Sequence, residues 1–202
     1  MNLTTYTTIY AIGSINEIKK FKNSLPIDDN LFDFGKIYPI PLDMKNISSE
    51  SPKDELDKLN TWCLNNWGSM GNGLIEKISE IYGYQEMGLE IRLSTPLNEP
   101  IHIIDKITQR FSSLNYFVHH ISCFEDEYIG FKSKNLSEIK TLSEEIYDDH
   151  YEEWSYSINE DILLELVEFS ISPLHWEFLK CRNIGKHIIE NLQYIHSQDK
   201  II

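Results

Sequence analysis

Three acidic doublets, Glu144-Glu145, Asp148-Asp149 and Glu152-Glu153, repeat every four residues, with Tyr147, Tyr151 and Trp154 set among them. The carboxylates are too numerous to assign one as an acid and another as a base, so covalent chemistry is not what the pattern suggests. Attraction of cations is. Read as a helix, the stretch places Glu144, Asp148 and Glu152 in one row and Glu145, Asp149 and Glu153 in the next. Each row climbs about 6 Å per step, close to the separation of neighbouring phosphates along a nucleic-acid strand. Like charges four apart on a helix destabilise it by about 0.2–0.5 kcal/mol per pair, so stability does not explain the arrangement. It is either the solvated face of an acidic protein or a surface that docks on a basic groove, with the aromatics as anchors. Cation binding is a third reading, in which calcium is the weakest case because the Asx-x-Asx-x-Asx-Gly loop is absent from the sequence.

A second constellation is Trp62 with Asn66, Trp67 and Gly68, just before the glycine-rich "GSMGNG" at 68–73. Two tryptophans beside a flexible loop can line a pocket for a partner or a stacked base, or can simply pack a helix on a sheet with Gly68 as its cap. The loop is neither G-x-G-x-x-G nor a phosphate-binding P-loop, since no Lys-Ser/Thr follows it. His119 and His120 are neighbours in a strand-like stretch and must face opposite ways, so they do not chelate one ion together. His175 with Cys181, and His187 with Glu190, lack a third ligand at metal-site spacing. Cys63 and Cys123 sit in no nucleophile elbow and beside no evident base. No catalytic residue, metal site or cofactor motif emerges.

Composition narrows the classes further. The 202 residues are 41% hydrophobic and 12% aromatic, ample for a packed core, and the net charge is −14. That charge is concentrated: residues 1–121 carry 11 Lys/Arg against 15 Asp/Glu, whereas 122–170 carry 3 against 14. From Thr141 to Leu179 there is no Lys or Arg. Direct binding of nucleic acid by this surface is not expected, because such affinity rests on cation contacts with phosphates. The three widely spaced cysteines argue against a disulfide framework and suit a reducing cytoplasm. No signal peptide is evident, and no apolar run approaches the ~20 residues of a membrane span.

The elements that must position these residues follow from periodicity. Residues 4–13 alternate as a strand. Residues 14–25 open with a Ser-x-x-Glu capping box and read as a helix. A second strand is expected over 31–41, polar turns over 42–52, and a helix from Pro52 to its stop at Gly68. The apolar segment 74–82 reads as helix or irregular structure. Strand 87–95, helix 99–114, strand 115–126 and a short hairpin partner at 127–133 complete a split βαβ order, that of a ferredoxin-like α+β fold with an antiparallel sheet and helices on one face. From 136 onward the pattern is helical: about 136–151, 159–170 and 173–196. The expected organisation is a ferredoxin-like domain over 1–135 and an acidic, mainly helical extension over 136–202.

The stretches "FDFGKIYPIP" (32–41), "WCLNNWGS" (62–69), "LEIRLSTP" (89–96) and "EYIGF" (127–131) resemble the YubB-like proteins of phages, plasmids and conjugative elements. The most specific of them is Trp62 followed by Asn66-Trp67-Gly68. The resemblance spans about residues 4–135 and implies a ferredoxin-like domain of mobile-element ancestry; it brings no established activity or catalytic residues. The expected function is that of a non-enzymatic accessory or inhibitory protein. It would bind a basic, nucleic-acid-handling host protein, with an anti-CRISPR or other anti-defence role by nucleic-acid mimicry as the concrete form. Two alternatives stand beside it: a toxin-like or modifying enzyme centred on Trp67–Gly73, and a structural or regulatory module with a merely solvating acidic face.

Overall fold

The computed structural model describes residues 3–83, 85–122, 127–133, 136–148 and 153–158. Strand β1 (Thr4–Ser14) leads directly into helix α1 (Ile15–Ser24). The turn between them is fixed by the expected capping box, in which the Ser14 hydroxyl accepts from the Glu17 amide while the Glu17 carboxylate accepts from the Ser14 amide. Two-residue strands β2 (Ile27–Asp28) and β3 (Leu31–Phe32) and a 3-10 turn at Phe34–Lys36 come next. Helix α2 (Lys53–Trp67) begins behind Pro52 and ends at Gly68, whose φ of 84° is the left-handed conformation that glycine adopts without strain. Then follow β4 (Gly73–Tyr82), β5 (Glu86–Pro96), α3 (Ile101–Arg110), β6 (Asn115–Ile121), β7 (Glu127–Lys132), β8 (Lys140–Asp148) and β9 (Glu153–Ile158).

The nine strands form one antiparallel sheet in the order β2-β3-β4-β5-β1-β6-β7-β8-β9. The first strand in sequence is therefore interior, held between β5 and β6. Alternation along it sorts the layers. Ile9 and Ala11, with Leu89 and Ile91 of β5 and Tyr116 and Val118 of β6, join Ile18 and Phe21 of α1 and Ile103, Ile104 and Ile107 of α3. Cys63 and Trp67 of α2 belong to the same core cluster. The alternate positions are apolar as well where β1, β6 and β7 meet: Tyr10, Phe117, Ile129 and Phe131 are buried, and the Phe117 and Phe131 rings lie 5.1 Å apart.

Three sequence expectations are corrected. Residues 74–82 are a strand, because a bulge between Ile75 and Lys77 shifts the alternation and leaves Ile75 and Ile78 both packed on the core. The resulting three-residue spacing imitates a helix. Residues 31–41 do not form a continuous strand: pairing stops at Phe32, and Asp33 then caps the 3-10 turn by accepting from the Gly35 amide. The largest correction is at 136–151, where the expected helix is replaced by β8, paired with β7 on one side and β9 on the other. The Thr, Ile and Tyr of β8 and the Trp-Ser-Tyr-Ser-Ile run of β9 favour strands, and sheet pairing overrides the four-residue charge period. The helices expected at 159–170 and 173–196 lie outside the described residues.

Candidate functional site

With the hairpin in place, the acidic doublets take up new positions. Glu144, Glu145, Tyr147 and Asp148 belong to β8, and Glu153 and Trp154 to β9, while Asp149, Tyr151 and Glu152 lie outside the described residues. Helical rows at 6 Å are thereby excluded for the described doublets, since four residues of strand cover about 13 Å. The register supplies a different concentration of charge. Asp148 stands opposite Glu153 at the end of the ladder, and Tyr147 stands opposite Trp154 one step inward. Like charges directly opposed across two strands destabilise the pair. Among the described residues β9 is the last strand of the sheet, so its outer edge has no partner.

The tryptophan constellation separates into a core part and a solvent-facing part. Trp67 is buried, its indole N–H donates to the Tyr38 carbonyl at 2.9 Å, and its ring meets Phe34 and Trp62 edge-on at 5.8 and 5.6 Å. Gly68 abuts the start of α3: a Cβ there would stand 2.6 Å from the Glu99 carbonyl oxygen. These two residues hold α2 in the fold. Trp62 is half-buried and stacks on Tyr38 at 5.7 Å with the rings 22° from parallel, and the Lys106 ammonium lies 5.6 Å from the Tyr38 ring. Asn66 donates from its side-chain amide to the Trp62 carbonyl at 2.8 Å. Trp62 and Asn66 then line an open groove of about 540 Å³ with Met44, Asp54, Asp57, Lys58, Thr61 and Asn65. The sequence reading passed over the two aspartates, although 54, 57, 58, 61, 62 and 65 fall on one helical face.

The glycine-rich loop after α2 is tied inward. The Asn72 side chain accepts from the Phe34 amide at 2.8 Å, and the buried Ser69 hydroxyl donates to the Gly71 carbonyl at 3.1 Å. It borders a cavity of about 470 Å³ lined by Met70, Asn72, Leu74 and the ends of β1 and β5.

Of the remaining candidates, His119, His120 and Cys63 are packed groups, and Cys123 lies outside the described residues. His119 and His120 are both buried on opposite faces of β6. His120 shares a 2.8 Å hydrogen bond with Thr7 and stacks on Tyr128, and burial holds its pKa down at about 3, so it is neutral at physiological pH. Burial pushes the Cys63 thiol up to about 11, which keeps it from the thiolate form that a nucleophile needs. Among the described residues no group of three or more His, Cys, Asp or Glu could hold a metal ion. The ligands considered at His175, Cys181, His187 and Glu190 lie outside those residues. Lys132 was not anticipated at all. Its side chain is buried, with the ammonium 5.9 Å from the Tyr116 ring and without a hydrogen-bond partner among the described residues, and desolvation lowers its pKa while Asp105 opposes that shift.

No protein-family model, curated protein or solved structure matches the chain. Among the described residues no helix is long and apolar enough to cross a membrane.

Proposed function

We propose that this protein is a non-enzymatic binding module that docks its acidic β8–β9 hairpin on a basic, nucleic-acid-handling protein. The observation that carries the reading is the placement of Asp148 opposite Glu153 at the end of the edge hairpin, in a stretch with no Lys or Arg from Thr141 to Leu179. A sheet gains nothing from that opposition, whereas a Lys/Arg-lined groove does. Steering by such a field accelerates association and fades with salt. Occupying a groove that otherwise receives phosphates makes the protein an inhibitor, and anti-defence action against a nucleic-acid-guided immunity complex is the form we favour. The β4-β5-β1-β6 order with α1 and α3 as crossovers supports a ferredoxin-like sandwich at the centre of the sheet. Mobile-element ancestry, on the YubB-like stretches, belongs to the same proposal.

The test is capture of basic proteins by the wild type beside a variant carrying Asp148→Asn, Asp149→Asn, Glu152→Gln and Glu153→Gln, repeated across a salt series. The expected result is a partner that binds the wild type in competition with nucleic acid, associates more slowly as salt rises, and is lost by the variant. Equal affinity and equal salt dependence for both proteins would reduce the acidic stretch to a solvated surface.

A further inference from the structure

We infer that the groove along α2 is a second binding site, one that receives a single arginine side chain from a peptide segment of a partner. The groove combines an aromatic wall with unpaired carboxylates. Trp62 supplies the wall, its indole backed by Tyr38, and Met44 lies beside it. The same aromatic stack already has one cation beside it, the Lys106 ammonium 5.6 Å from the Tyr38 ring. Asp54 and Asp57 line the groove, are exposed, and make no ion pair among the described residues. The Asn66 amide nitrogen is engaged by the Trp62 carbonyl, leaving the carboxamide oxygen as the end able to accept a hydrogen bond.

These features match a guanidinium better than other ligands. Its planar face stacks on an indole while its N–H groups reach carboxylates and amide oxygens in the same plane. The aliphatic stem suits the apolar wall. Lys58 also lines the groove and limits its formal charge to one negative unit with Asp54 and Asp57, which fits one cationic side chain and disfavours a polycation. A phosphate or nucleotide is disfavoured by the two carboxylates. The site shares with the hairpin only the sign of its partner's charge, and the two are tested separately.

The experiment titrates the full chain with the capped tripeptide Leu-Arg-Leu, and with its norleucine counterpart, at low salt. Indole N–H resonances are followed, with Trp62 assigned through Trp62→Phe. The expected result is a saturating shift of the Trp62 signal with the arginine peptide and none with the norleucine peptide. Binding should weaken about tenfold or more in the Asp54→Asn/Asp57→Asn variant, the loss that follows from charge-assisted hydrogen bonds. It should be unchanged in the four-position hairpin variant. The same spectra report whether each variant keeps its fold, and once the Trp62 signal is assigned the arginine-dependent shift is read on the wild type itself. An equal shift with norleucine, undiminished binding by the aspartate variant, or loss of binding in the hairpin variant would each overturn the inference.

Discussion

Replacement of Trp67 tests whether its indole is a core element of the fold. The indole is buried at 3% exposure, two aromatic rings meet it edge-on, and its N–H is the donor for the Tyr38 carbonyl. Truncation to Ala removes the whole ring from the junction of α2 with the Phe34 turn. Large aromatic-to-Ala changes in cores cost about 3–5 kcal/mol. Edge-to-face contacts add about 0.5–1.5 kcal/mol each beyond burial, so the upper end of that range is expected. Trp67→Phe keeps a ring in place but strands the Tyr38 carbonyl and leaves a smaller void, for a loss of about 1.5–3 kcal/mol. Urea unfolding followed by far-UV circular dichroism, with the slopes compared between proteins, measures both. If Trp67→Ala unfolds within about 1 kcal/mol of the wild type, Trp67 is not a core residue. If Phe costs as much as Ala, the hydrogen bond rather than the ring carries the effect.

Two further outcomes follow from the buried and capping positions. Lys132→Met should stabilise the fold by about 1–2 kcal/mol at neutral pH, because it removes an ammonium that is buried without a hydrogen-bond partner among the described residues. The folded-state pKa of Lys132 lies below the ordinary 10.5, so between the two values the unfolded chain holds more protons and rising pH favours the folded state. The advantage of Lys132→Met should therefore shrink as pH rises toward 10.5, and an advantage that grew with pH would contradict the assignment. Gly68→Ala should cost about 2–3 kcal/mol in thermal or urea unfolding, since the left-handed φ is retained only at a strain and the new methyl meets the Glu99 carbonyl.

The sequence was most legible where local signals agreed. The Ser14 capping box, Pro52 and Gly68 bracket α1 and α2 almost to the residue, and the alternation of β1 and β5 is plain. It failed where two periods competed. In β4 a single bulged residue converts a strand's alternation into a helical spacing of isoleucines. In β8 the charge doublets repeat every four residues, but pairing with β7 and β9 decides the conformation, and that pairing is invisible to a local reading. The candidate site divided along the same line. Trp67 and Gly68 are accounted for by local packing and capping, whereas the groove also needs Met44, which the chain brings to α2 from the long connection before it. Lys132 offered no signal, because its burial depends on tertiary neighbours rather than on spacing.

The interior position of β1 has a consequence for how the chain comes together. The Thr5 hydroxyl meets the Leu97 carbonyl across 92 residues of sequence, and Thr7 meets His120 across 113. The hairpins β4–β5, β6–β7 and β8–β9, by contrast, each join strands that follow one another directly. Local closure is entropically cheap and fast, while contacts of high sequence separation hold folding back toward the millisecond-to-second range. During synthesis β1 emerges before β5 and β6 and is left without either neighbour until they have been made. Strand β1 is thus a seam, and its insertion unites the β2–β5 side of the sheet with the β6–β9 meander. Until that seam closes, two long hydrogen-bonding edges and the apolar residues of β1 remain open to other chains.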